Sequence, residues 1–387
     1  MEAKIMGNII DYVKWRGDIT FSKSPMNEVD GLIFSILSYL YFDAVIDKVS
    51  TESITIKEYA QLVKKNDYKI LSMILVKIQN YEELLAQCAK SARFKNVKLS
   101  NYVNIFDPKE EIQFAAVTFE LDDKTMVIAY RGTDDTVAGW KEDFNMGFLD
   151  VIPSQSRALE YLKLVAEHNP TKKFYLTGHS KGGNLAIYSA IKSPLKINSR
   201  IIGILNYDGP GFLGEILEDA TYQRILPKIR SIVPESSIVG MLLERKESET
   251  IVKTTAIGGF YQHDGFTWEL VGTKFTHVKK RSIDSELIDK TLKSYLDKST
   301  SAQRKQFADA ISKIFEGYEG YTLTELTADK IKVINRVAKS YDGLDKETKS
   351  FLIASLRLIF SQGISAVKGT AQKESIKLPL PGILAKR

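Results

Sequence analysis

Gly178-His179-Ser180-Lys181-Gly182 sets a hydroxyl between two glycines, with an extended apolar run, Phe174 to Thr177, before it and a helical run, Gly182 to Ile191, after it. That order predicts a sharp strand-to-helix turn, with the serine in a strained backbone conformation and glycines where strand and helix cross. A serine hydroxyl is a poor nucleophile until a base takes its proton, a service worth ~10²–10⁴ in rate. The same turn puts the backbone N–H of Lys181 at a helix start, where a tetrahedral oxyanion would form. The Lys181 side chain is not needed for that. His179, one residue away on the turn, is expected to point to the other side and to pack rather than act as the base.

A second loop follows the strand ending at Tyr130: Arg131-Gly132-Thr133-Asp134-Asp135, then Trp140 and Asp143. RGT followed by W-x-x-D, with GHSKGG about 45 residues later, resembles the class 3 lipase branch of the α/β-hydrolases. A closer resemblance is to an uncharacterised bacterial family of α/β-hydrolase-like proteins. It runs through DYVKWRGDITFSKSPMNEVD, GHSKGGNLA, NYDGPGF, VPESSIVGMLLE and QHDGFTW, over roughly residues 8 to 275. The resemblance implies an oxyanion role for Thr133, through its N–H and its hydroxyl. It also implies an ester or thioester substrate, with a lipid-like ester as the family-level expectation.

Chain order in these folds is serine, acid, histidine. His263 follows the last expected strand and Gly258-Gly259, and it coincides with the family's QHD segment, so it is the expected base. His277 is the fallback, and His168 lies before the turn at a helix end. The acid stays open. Asp208 comes directly after the strand Ile201 to Tyr207, whereas class 3 lipases place the acid after the next strand. The matching position there is Ser237, which cannot orient an imidazolium by charge. Asp208 supplies the carboxylate, or Glu235 does, or there is none. Asp264 reads as a loop anchor. The rival function is a non-catalytic binding or scaffold protein on the same frame, and a third is a peptidase.

Competing chemistry finds little support. Gly209 to Gly214 spells G-x-G-x-x-G with Glu235 near the distance of a ribose-binding acid. That fingerprint belongs in a first strand–helix unit, however, and Pro210 offers no N–H to a pyrophosphate. No Walker-type string occurs. The single cysteine, Cys88, cannot form an intramolecular disulfide, and with four histidines a Cys/His zinc site is not expected. We therefore expect no cofactor and no metal.

The elements that must position these groups change along the chain. Residues 1–99 read as helical, with candidates Val29 to Val49, capped by Asn27, and Ile56 to Ala92. Two β-rich runs between Ile112 and Arg131 flank Asp122-Asp123-Lys124, which is hairpin chemistry. Helices (Ser154 to Glu167, Gly182 to Ile191) then alternate with strands (Phe174 to Thr177, Ile201 to Tyr207, Ile229 to Val233, Ile251 to Ala256). This predicts an α/β fold, a mostly parallel sheet with flanking helices. We read residues 100–282 as an α/β-hydrolase-like core, 283–368 as a C-terminal helical segment and 369–387 as a flexible tail.

The 387 residues are 44% hydrophobic and 26% charged, as in ordinary water-soluble globules. Fifty-four basic against 48 acidic residues give a mild +6. The basic run Lys274, His277, Lys279, Lys280 and Arg281 reads as a solvated turn, so nucleic acid is not an expected partner. The longest apolar run, Gly31 to Phe42, is too short to span a bilayer, and no signal peptide is visible, so the expected compartment is the cytoplasm. The expected partner is a small-molecule or lipid-like ester.

Overall fold

A computed structural model of the chain describes residues 7–43, 45, 53–66, 78–281 except 123, 135, 148, 238 and 258–260, and parts of 299–352. Eight strands lie side by side in chain order: β1 (Ile54–Thr55), β2 (Lys98–Asp107), β3 (Ile112–Glu120), β4 (Thr125–Tyr130), β5 (Lys173–His179), β6 (Ile201–Tyr207), β7 (Ile229–Pro234) and β8 (Glu249–Val252). The first four pair antiparallel and β4 to β8 pair parallel. The β3–β4 hairpin closes as its turn chemistry predicts: the Asp122 carboxylate accepts the N–H groups of Lys124 and Thr125 at 2.8 and 2.6 Å.

Strand order dictates where the helices go. Each parallel strand is followed in space by its sequence neighbour, and right-handed crossovers between such neighbours all fall on one face of the sheet. Helices α1 (Ile9–Arg16), α2 (Glu28–Leu37), α3 (Ile56–Asn66) and α4 (Ile78–Lys90) precede the crossovers. The crossovers carry α5 (Val137–Asn145), α6 (Pro153–His168), α7 (Lys181–Lys192), α8 (Leu195–Asn198) and α9 (Ala220–Ile225). One apolar layer joins α6, α7 and α9 to Phe114, Ala116, Ile128, Leu176 and Ile204. The opposite face, bare of crossovers, carries Val117, Phe119, Val127, Ala129 and Leu205, and it is covered by α1, α2 and α4. The alternation along β3 and β4 sorts neighbouring residues onto the two layers.

The helix α2 starts where expected. Asn27 Oδ1 accepts the N–H groups of Val29 and Asp30 while the Asp30 carboxylate accepts that of Asn27, a reciprocal cap. It ends at Leu37, short of the expected Val49; residues 44 and 46–49 lie outside the described residues. The Ser35 and Ser38 hydroxyls donate to the carbonyls of Gly31 and Ser35, which competes with the helical ladder. The expected helix Ile56 to Ala92 is two helices, α3 and α4, and residues 67–77 between them are not described.

Strand β2 is a feature that pattern reading misses. A bulge between Ser100 and Val103, with Asn101 at φ 52°, breaks its alternation. The last parallel strand is shorter at its end than expected, because from Lys253 the chain leaves β7 and bonds to Thr276 and Glu269 around the hairpin β9–β10 (Leu270–Val271, Lys274–Phe275). Most of the C-terminal segment and all of the tail fall outside the described residues. Of those described, Phe307 packs on Phe144 of α5, with ring centroids 6.0 Å apart.

Candidate active site

Ser180 joins β5 directly to α7 at φ 59° and ψ −136°, a region that L-residues occupy only when the surroundings compel it. The compulsion is visible. Ser180 N–H donates to the Tyr207 carbonyl at 2.9 Å, its own carbonyl accepts Gly183 N–H at 2.8 Å, and a Cβ on Gly182 would overlap the carbonyl of Tyr130. Strand and helix therefore cross at backbone contact, and only glycine fits there. The serine is 7% exposed, at the C-terminal end of the parallel strands.

Asp208 follows β6 immediately, at φ 52°. Its carboxylate is fully buried and fully engaged. Oδ2 lies 2.6 Å from His263 Nδ1, and Oδ1 accepts the Ser237 hydroxyl and, at 3.1 Å, the N–H of Gly240. Burial alone would raise this carboxyl; the hydrogen bond from His263, the charge on that ring and the Ser237 hydroxyl outweigh it and hold the group below the usual aspartate range. His263 itself sits in the short turn Tyr261–His263 and is 4% exposed. Its ring lies against that of His179, centroids 4.5 Å apart, which brings it to the turn that carries Ser180.

Across the turn, Gly132 abuts Ser180: a Cβ there would sit 3.0 Å from that of the serine. The next residue, Thr133, donates its hydroxyl to Asp143 Oδ1 at 2.7 Å. Neither the N–H of Thr133 nor that of Lys181 has an acceptor among the described residues. The Asp143 carboxyl is pushed up to about 6 by desolvation, which the Lys181 charge and the Thr133 hydroxyl only partly offset.

The Lys181 side chain turns away beneath the site. Its ammonium donates to Glu142 Oε2 at 2.7 Å and to the carbonyl and side-chain oxygens of Gln113 at 2.9 and 3.1 Å. Glu142, fully buried, also receives Ser154 N–H and hydroxyl. Sequence reading overlooked this network, although the run Trp140-Lys-Glu-Asp143 contains both acids.

Other sequence candidates fall elsewhere. His277 is half exposed, 3.9 Å from Glu28 Oε1. His168 ends α6. Glu235 sits just past β7, its N–H on the Val252 carbonyl. Asp264 caps the turn Gly265–Thr267 through the N–H of Phe266, and its burial pushes the carboxyl up to about 7. The Gly209–Gly214 string crosses the 242–244 loop, with Gly211 and Phe212 N–H on the carbonyls of Leu242 and Glu244. Among the described residues no cluster of three or more His, Cys, Asp or Glu is arranged to hold a metal ion, and no helix is long and apolar enough to cross a membrane.

A mostly parallel sheet flanked by helices, with a strained serine where its fifth strand turns into a helix, is an α/β fold. The chain belongs to the Mbeg1-like family, which matches residues 88–313. Among solved structures it is similar to the native Rhizomucor miehei lipase propeptide complex, at 15% identity and a TM-score of 0.35, over 58% of this chain and 67% of that one. No curated protein matches it.

Proposed function

We propose that this protein is a serine hydrolase of carboxylic esters. Ser180 Oγ attacks the carbonyl carbon while His263 takes the hydroxyl proton. The negative charge formed on the carbonyl oxygen is received by the N–H groups of Thr133 and Lys181. The imidazolium then protonates the leaving alkoxide, and water repeats the sequence to free the acid and regenerate Ser180. Asp208 keeps the proton on His263 Nδ1 and stabilises the imidazolium. The observation that carries the reading is the 2.6 Å pair of His263 and Asp208 beside a serine held at φ 59°.

A lipid-like ester is the substrate suggested by the family relation. An apolar group formed by Met146, Ile152 and Leu243 with Leu213 and Leu242 joins three loops beside the site and suits an acyl chain. Phe307 packs on Phe144, next to Asp143, so the chain beyond a core of about 100–282 meets the site's flank at that residue. The finer assignment to a bacterial branch rests on the sequence motifs alone. The scaffold reading rests on the missing acid at Ser237 and on the large helical additions; a carboxylate on His263 from Asp208 weakens the first of these. The test is a panel of p-nitrophenyl esters of increasing chain length, with fluorophosphonate labelling. Turnover and labelling lost in Ser180→Ala are expected; turnover that survives it removes Ser180 as nucleophile.

A further inference from the structure

His179 is fully buried and the acyl-transfer steps do not use it, yet it touches the proposed base through both ring and main chain. Its Nε2 lies 2.7 Å from the backbone carbonyl of His263, and the two rings overlap at 4.5 Å with a 40° tilt. A carbonyl only accepts, so Nε2 carries the proton and Nδ1 is left as an acceptor. The group that faces Nδ1 is the hydroxyl of Tyr39, at 3.4 Å. Tyr39 is itself fully buried, and it comes from the N-terminal segment just past α2.

We infer that His179, its tautomer set by the His263 carbonyl and its other nitrogen faced by the Tyr39 hydroxyl, is the positioning residue of the catalytic base: it pins the main chain of His263 and supports the ring from one side. This rests on the ester-hydrolase reading above. Three further contacts make the case that this turn is held for precision. Trp268 Nε1 donates to the Gln262 carbonyl at 2.8 Å, so both consecutive carbonyls, 262 and 263, are tied to buried aromatic donors. Gln262 Oε1 accepts the Ser236 N–H at 2.7 Å. Tyr81, which packs on Tyr39, also packs edge-on against Phe266, three residues beyond the base. The turn is thus clamped to the serine's own strand by His179 and to the N-terminal helices by Tyr39 and Tyr81.

The consequence is chemical. Both ends of the proton transfer are referenced to one rigid piece, since His179 is covalently next to Ser180 and hydrogen-bonded to His263. A base displaced by about 1 Å costs on the order of 10²-fold in rate without weakening substrate binding. His179 is not placed to be the base itself, because the lone pair that would take a proton is on Nδ1, which faces the Tyr39 hydroxyl, while Nε2 donates to the carbonyl of His263.

The test uses the full-length protein and three variants. His179→Phe keeps the ring and its stacking but loses the donor. His179→Gln restores an N–H at the Nε2 position. Tyr39→Phe removes one hydroxyl and leaves the packing. We expect His179→Phe to lower kcat on an ester substrate by about 10- to 100-fold with KM within twofold, Tyr39→Phe to lower it by a smaller factor in the same way, and His179→Gln to recover most of it. A second readout needs no turnover: the low-field Nδ1 proton of His263, bonded to Asp208, should be sharp in the wild type and His179→Gln and broadened or lost in His179→Phe. A kcat unchanged in folded His179→Phe, or a low-field proton that persists in it, overturns the inference. Should the wild type cleave no ester, the hydrolase reading fails on its own, and the proton resonance still decides whether His179 positions the ring.

Discussion

Ser237 donates its hydroxyl to Asp208 Oδ1, while the other oxygen of the same carboxylate lies on His263 Nδ1. The two positions, at the ends of neighbouring strands, therefore serve one imidazole, and a carboxylate could reach it from either. Asp208→Asn is expected to reduce kcat by about 10³- to 10⁴-fold, the loss seen when a triad acid becomes an amide. Adding Ser237→Asp should return at least tenfold of it. Steady-state kinetics of the single and double variants check this; a double variant no faster than Asp208→Asn would mean that only position 208 can orient the ring.

Ser180 at φ 59° stores backbone strain of ~1–3 kcal/mol, which a residue without Cβ does not feel. Ser180→Gly is expected to be inactive but more stable than the wild type by about 1–2 kcal/mol. Urea denaturation followed by circular dichroism measures it. Equal or lower stability would show that the turn is not strained.

The Lys181–Glu142 pair has both charges buried, so removing one partner strands the other. Lys181→Met should cost about 3–5 kcal/mol of stability, and Glu142→Gln in the same chain should recover a large part. Guanidinium melts of Lys181→Met, Glu142→Gln and the double variant give the coupling; strict additivity would speak against the pair.

Acid stability carries the sign of His179. Burial, with the charge of His263, pushes its ring down to about 3 from the ordinary 6.5. Between these values the unfolded chain binds a proton that the folded one refuses. This contribution to stability is lost as pH falls, by ~1.4 kcal/mol per unit. Asp143, near 6, and Asp264, near 7, act oppositely, because the folded carboxyls keep protons that the unfolded ones have shed above about pH 4. The isolating measurement is the difference between His179→Gln and wild type. The variant should gain roughly 2–3 kcal/mol relative to the wild type between pH 6.5 and 4.5, read from urea melts at three pH values. A pH-independent difference would mean that the folded protein admits the proton.

What the residues declare by themselves is short-range. Glycines around Ser180 announce a strand crossing a helix because no Cβ fits there. Asn27 with Asp30 announces a helix start, and Asp122 a hairpin, because each side chain bonds its own neighbourhood. The alternation of extended and helical runs declares the α/β sheet in the same way. Strand β2 escapes, since the bulge at Asn101 shifts the face of every residue after it.

Pairings across the sheet are another matter. Sequence favours Asp208 but leaves Glu235 and no acid at all open; the side-by-side order of β6 and β7 and the positive φ at Asp208 put that carboxylate on a ring 55 residues away. The same holds for Lys181 on Glu142 and for His179 under His263, a neighbour whose orientation a turn alone does not specify. Such contacts depend on strand register and on how the loops beyond the strands pack, and these are settled by burial summed over the whole chain, which no local pattern encodes.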